Sequence, residues 1–272
     1  MELCDDSLGA LIKLVRQHTG IAMNEHKRVL LQGRLRPRLR ALGLDSWGGY
    51  IERLKHDRSE VASFINSVTT NDTAFFRTPA VWRWLSEEFL PGWVARGEAA
   101  PLRIWSAAAA TGEEAYSLAM TCLEHRIKAP GLRFEILSTD ISTDALETAR
   151  AGMYRGRSVE RFEADHPALF AKYLRPVGDG YRVASEVAQY VTFGEHNLLH
   201  KPPRAASFDL VLLRNVLIYF DAEAQLKVLD GARAAMRPGA RLVLGEQESI
   251  TRLQTAFAFE QAHVYRIGGE QQ

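Results

Sequence analysis

From Pro101 onward the sequence alternates short β-rich runs with helical stretches, and this alternation restricts the possible folds more than any other feature. LRIWS, FEILSTD, YVTF, FDLVLL and ARLVLGE are the β-rich runs. Between several of them lie GEEAYSLAMTCLEH, TDALETARAGMY and AEAQLKVLDGARAAMRPG, which read as helices. The pattern predicts an α/β fold built on a doubly wound, mostly parallel sheet. FAFEQ and HVYRI, separated by Ala262, predict an antiparallel hairpin that closes it. Ligands of such sheets bind beyond the carboxyl ends of the strands, at the switch point, so candidate site residues are sought there. KYLRP and GYRVAS flank a PVGDG turn and predict a small β subdomain at about residues 168–190.

Residues 7–65 carry helical patterns only, punctuated by Gly, Asp and Ser. The expected division is therefore a helical domain over residues 1–75 and an α/β domain over 76–272. In EHKRVLLQGRLRPRLRALGL, Leu31, Leu35, Leu39 and Leu42 make one apolar stripe, with Arg36 and Arg40 on the far side and Arg34 and Arg38 at its edge. Six bases and no acid occur between His26 and Leu42, although the net charge of the chain is only +1. Pro37 removes one amide donor and disfavours the helical conformation at Arg36, which predicts a kink or two shorter helices.

Composition excludes several classes. An apolar content of 46% with 25% charge suits a globular chain with a sizeable core. The longest apolar runs fall far short of the roughly 20 residues a membrane helix needs, and acids in MELCDDSLG stand where a signal peptide has bases, so a cytoplasmic protein is expected. Cys4 and Cys122 form no CxxC pair, and His196 and His200 lie in a segment without helical spacing, so no metal is expected.

Four stretches carry chemistry. TTNDTAFFR, residues 69–77, gathers polar groups at one end and aromatics at the other, a pattern that fits neither an amphipathic helix nor a strand and suggests a site wall. RIWSAAAATGEEAYSLAM is the first strand-to-helix crossing and lacks GxGxxG. Its Glu113 and Glu114 suit a helix start, yet would repel a pyrophosphate placed there, which disfavours a nicotinamide cofactor. S-adenosylmethionine, with a sulfonium, an ammonium and no phosphate, suits the same turn. FEILSTD ends in Asp140, which reads either as acceptor for two ribose hydroxyls or as an N-cap. LLRNVLIYFD places Arg214 and Asn215 after a buried strand, where burial without partners would be costly, so they are expected at the cleft. Tyr219, four residues on, reads on this segment alone as an ordinary partly buried tyrosine.

Together TTNDTAFFR, RIWSAAAATGEEAYSLAM, STDIS, the NLL of GEHNLL and LLRNVLIYFD resemble the successive motifs of the chemotaxis receptor methyltransferases, the CheR family. The likeness keeps their order and covers nearly the whole chain. It implies a class I S-adenosylmethionine-dependent methyltransferase sheet with an N-terminal all-helical domain and a small β subdomain. It implies that Asn71, Thr73 and Arg77 contact the methionine end of the cofactor and the active site. Glu114 and Asp140 would hold amino or ribose groups, Asn197 and Leu198 would border the adenine, and Arg214 and Asn215 would complete the pocket. Arg77 and Tyr219 are the expected catalytic pair, Tyr219 near the transferred methyl.

The implied reaction methylates the γ-carboxylate of chemoreceptor glutamates and leaves S-adenosylhomocysteine. The implied partner is the receptor cytoplasmic signalling domain, met by a monomeric enzyme recruited to membrane-bound receptor arrays, with no nucleic acid and no membrane insertion. Arg34, Arg36, Arg38 and Arg40 would supply the docking face, although the same bases also read as a nucleic-acid face or a solvated one. A small-molecule methyltransferase and a non-catalytic signalling module stay as alternatives. The chain departs from the family pattern at Ala110 and Ala115, at Pro37, and at GEQES near residue 247.

Overall fold

The computed structural model describes residues 2–268, and the expected outer domain limits at residues 1 and 272 lie outside them. Four helices come first: α1 (Asp5–Thr19), α2 (Arg28–Ala41), α3 (Trp47–His56) and α4 (Arg58–Val68). Ser46 caps α3 and Asp57 caps α4 by accepting backbone N–H groups of the first turn. Their core is apolar, with Leu8, Leu11 and Val15 of α1 facing Leu31, Leu35 and Leu39 of α2 and Phe64 of α4. Leu42, the last residue of the expected stripe, lies at the rim of this core.

Helix α2 runs as a single helix through Pro37 and is not divided into two shorter ones. Pro37 sits on the exposed side, and three buried leucines spaced four apart hold the helix on both sides of it. Arg34 and Arg38 turn inward from the stripe edge. Arg34 Nη1 donates to the carbonyls of Val68 (2.6 Å) and Thr69 (3.0 Å), and Nη2 to Thr70 Oγ1 (2.8 Å). Arg38 grips the buried Glu60 with Nε (3.0 Å) and Nη2 (2.6 Å), and Tyr50 donates to the same carboxylate at 2.9 Å. Arg36 and Arg40 are exposed.

The second domain enters through α5 (Pro79–Trp84) and α6 (Leu90–Ala95), joined by a π-helical segment, Leu85–Phe89. There follow β1 (Leu102–Ser106), α7 (Glu113–Lys128), β2 (Phe134–Asp140), α8 (Thr143–Ala151), β3 (Met153–Tyr154), α9 (Arg157–Asp165) and α10 (Pro167–Tyr173). The chain continues with β4 (Leu174–Val177), β5 (Gly180–Val183), α11 (Ser185–Ala188), β6 (Val191–Glu195), β7 (Phe208–Leu213), α12 (Ala222–Ala235), β8 (Met236–Leu244), β9 (Phe257–Gln261) and β10 (Val264–Ile267).

The main sheet has the order β6-β2-β1-β7-β8-β10-β9. Its first five strands are parallel, and β10 pairs antiparallel with both β8 and β9. The doubly wound sheet with a closing hairpin is therefore observed. Strand order reverses at β1, which lies between β2 and β7, so the crevice of such a sheet opens at the ends of those strands. β7 is buried along its whole length, as FDLVLL suggested.

Two expected boundaries move. The small sheet has the order β3-β5-β4, and β3 comes from Met153 and Tyr154, which the sequence pattern had placed at the end of a helix. Gly152, in a left-handed conformation, stops α8 just before them. Similarly, MRPG opens β8 and does not end α12. Among the described residues no helix is long and apolar enough to cross a membrane, and no His, Cys, Asp and Glu group could hold a metal ion.

Candidate active site

An open cleft lies at the switch point, where ligands of such sheets bind. Asn71, Thr73, Arg77, Glu114, Asp140, Asn197, Leu198, Arg214, Asn215 and Tyr219 all line it. The fold thus gathers into one cavity residues scattered over almost 150 positions of sequence.

The wall formed by residues 69–77 is fixed by its aromatics. Phe75 stacks on Phe162 with ring centres 4.7 Å apart and meets Tyr154 edge-on at 5.0 Å. Phe76 packs edge-on against Trp82, and its N–H donates to Ser117 Oγ at 3.0 Å. Both phenylalanines are buried, whereas Thr70, Asn71, Asp72 and Thr73 face the cleft. Phe76 (φ 51°) and Thr78 (φ 66°) are left-handed without being glycine. Such backbone persists only where its surroundings enforce it.

One enforcing group is Arg214, which lies at the end of β7 and is 5% exposed. Its Nη2 donates to the Arg77 carbonyl at 2.9 Å, and Nη1 donates to Glu114 Oε2 at 2.8 Å. The other Glu114 oxygen accepts from Ser106 Oγ at 2.8 Å. Glu114 and Arg214 are therefore a buried ion pair as well as parts of the cleft wall. Arg77 itself reaches back to the Asp72 carbonyl at 3.1 Å and keeps 37% of its side chain exposed.

Asp140 accepts from Ala110 N (2.8 Å) and Ser142 N (2.9 Å). It is not the cap of α8, because Ser142 does that by accepting from Ala145 N. Burial pushes the Asp140 carboxyl above its ordinary range, opposed by these backbone donors. Ala110 has φ 45°, which turns its N–H toward Asp140, while Ala107, Ala108 and Ala110 keep the turn low. Gly112 (φ 96°) starts α7 where a Cβ would lie 2.9 Å from Ala149 Cβ.

Asn197 has both ends of its amide engaged: Nδ2 donates to the His18 carbonyl (2.8 Å) and Oδ1 accepts from Leu199 N (3.0 Å). Leu198, Ile141 and His196 complete that side. Burial lowers the His196 pKa, which favours a neutral ring.

Asn215 (φ 58°) begins a turn that carries Tyr219, and the turn is organised by Glu248. That carboxylate, 8% exposed, accepts from the N–H groups of Asn215 (2.8 Å), Val216 (2.7 Å), Leu217 (2.7 Å) and Gly245 (2.7 Å). GEQES gave no sign of this, since an acid beyond a strand end looks like solvent-facing polarity. Thr19 and Ile21 of the helical domain were also missed as cleft residues. The left-handed Gly20 after α1 was the available signal, because it turns the chain toward the sheet.

The cleft chemistry suits S-adenosylmethionine. Its lining has three carboxylates, Asp72, Glu114 and Asp140, against two guanidiniums, Arg77 and Arg214, and no lysine. One guanidinium is already neutralised by Glu114. Acids around an alanine turn favour a sulfonium and an ammonium and disfavour a pyrophosphate.

Known sequences agree. Residues 6–69 match the profile of the CheR methyltransferase all-alpha domain, and residues 71–266 that of the CheR methyltransferase SAM binding domain. The chain is 36% identical over 271 residues to the chemotaxis protein methyltransferase of Escherichia coli (strain K12), covering 98% of this chain and 92% of that protein. It is 33% identical over 267 residues to chemotaxis protein methyltransferase 1 of Vibrio cholerae, covering 94% and 93%. It is 37% identical over 238 residues to chemotaxis protein methyltransferase 2 of Pseudomonas aeruginosa, covering 85% and 82%. With both profiles and near full-length relatives in agreement, the chain belongs to the CheR methyltransferase family and is an S-adenosylmethionine-dependent methyltransferase.

Proposed function

We propose that the protein methylates the γ-carboxylate of glutamates on chemoreceptor signalling domains. The observation that supports this best is a cleft rich in acids around a cationic cofactor's place, with no cysteine, serine–histidine pair or metal cluster among its lining residues. A glutamate of ordinary pKa, near 4.3, is already ionised at neutral pH, so the protein needs no strong general base. When bound, S-adenosylmethionine supplies the electrophilic methyl, and the C–S electron pair remains on sulfur in S-adenosylhomocysteine.

What the chain contributes is binding, alignment and exclusion of water. Glu114 and Asp140 face positive and hydroxyl groups, and Arg77 faces a carboxylate, most simply that of the cofactor. Leu198 and the Asn197 backbone border the base, while Asn71 and Thr73 line the methionine end and Arg214 and Asn215 complete the pocket. Tyr219 orients the reacting groups. For docking, Arg36 and Arg40 are the exposed bases of α2, directed at an acidic receptor helix bundle and not at nucleic acid. The enzyme acts as a monomer brought to receptor arrays by that contact.

The test is incubation of purified receptor cytoplasmic domains with methyl-labelled S-adenosylmethionine. Base-labile label on the receptor, released as methanol, is expected. Labelled small molecules in place of labelled receptor would sink the proposal.

A further inference from the structure

The segment Gly20–Ala22 joins the helical domain to the turn that carries Tyr219. Ile21 forms an antiparallel bridge with Phe220, and Ala22 N–H donates to the Tyr219 carbonyl at 2.8 Å. Gly20 makes this approach possible. It has φ 75°, and a Cβ there would lie 2.5 Å from Leu199 Cδ1 and 3.1 Å from Phe220 Cε1. Arg16 clamps the same junction through Asp221 at 2.5 Å, and Asn197 ties the His18 carbonyl one residue before the cleft-lining Thr19.

The Tyr219 turn is held on its inner side by its own domain. Glu248 binds the N–H groups of Asn215, Val216 and Leu217, and Gln225 Nε2 donates to the carbonyls of Leu217 and Phe220, both at 3.0 Å. The carbonyl of Tyr219 is not reached by these groups. Its hydrogen bond comes from the helical domain.

We propose that Gly20–Ala22 is a positioning strap for Tyr219, so that the helical domain takes part in the methyl-transfer step as well as in docking. This rests on the reading that Tyr219 orients the reacting groups. The strap touches no reacting atom. It fixes the backbone from which the phenol projects, and displacements of about 1 Å at such a point can cost on the order of 100-fold in rate.

Two variants of the full chain test the strap. Ala22→Pro deletes the N–H at an exposed residue outside the cleft lining, next to an extended residue that tolerates a following proline. Gly20→Ala forces the junction apart, and if it fails to fold, Ala22→Pro carries the test alone. With labelled cofactor and receptor domain, Ala22→Pro should lower kcat roughly 10-fold or more. Its calorimetric affinity for S-adenosylmethionine should stay within about twofold, and its thermal midpoint close to that of the parent.

In a Tyr219→Ala background the same substitution should cost nothing further, because there is no phenol left to position. The strap role is overturned by an unchanged kcat in Ala22→Pro, by equal proportional losses in both backgrounds, or by a parental kcat in Tyr219→Ala. Failure of the parent to label receptor would strike at the functional reading instead.

Discussion

Asp140 and Arg77 make opposite demands on solvent. Asp140 is nearly buried, and burial raises its pKa. Ribose hydroxyls donating to the carboxylate would lower that pKa on binding, so the bound form holds its proton less tightly than the free form. Affinity for S-adenosylmethionine should therefore fall as pH drops through the raised pKa of the free protein, with proton release on binding in that window. Calorimetry in buffers of different ionisation enthalpy measures both, and pH-independent affinity would remove Asp140 from the binding set. Arg77 is partly exposed, so its pairing is tested by truncation: Arg77→Ala should weaken cofactor binding on the order of 10- to 150-fold, one charge-assisted hydrogen bond. These two residues were legible because each ends or opens a recognisable motif. The Glu114–Arg214 pair and the Asn197–His18 bond were not, since the partners lie 100 and 179 residues apart and no local pattern links them.

The turn bearing Tyr219 has too few residues to fold by its own propensity, and Glu248 supplies what its sequence lacks. Glu248→Ala strands the buried N–H groups of Leu217 and Gly245 and the part-buried ones of Asn215 and Val216, and should lower stability by roughly 3 kcal/mol or more in urea denaturation. A loss below about 1 kcal/mol would mean that packing of Leu217 and Phe220 holds the turn unaided. Strands with continuous apolar runs and the leucine stripe of α2 were readable because their periods survive into burial. Pro79 to Ala95 was not readable, as the π segment at Leu85–Phe89 breaks the 3.6-residue repeat. A two-residue strand such as β3 has no period to read at all.

At the scale of the whole molecule, the docking face proposed on α2 is narrower than the basic stripe read from the sequence, because Arg34 and Arg38 bond inward. Four arginines were legible as a basic stripe, but Glu60 lies 22 residues from Arg38, and the carbonyls that accept from Arg34 lie 34 and 35 residues away, so the inward pull on both was hidden. Arg36→Glu with Arg40→Glu should raise the KM for receptor on the order of 10-fold and flatten its salt dependence, leaving cofactor affinity alone. Unaltered receptor kinetics would move docking to another face. The seam between the domains reaches further still. Thr19, Ile21, Thr69 and Thr70 come from the helical half yet line the cleft at the switch point, so the halves are not interchangeable parts. A chimaera that grafted a relative's helices onto this sheet would therefore also replace part of the cleft wall.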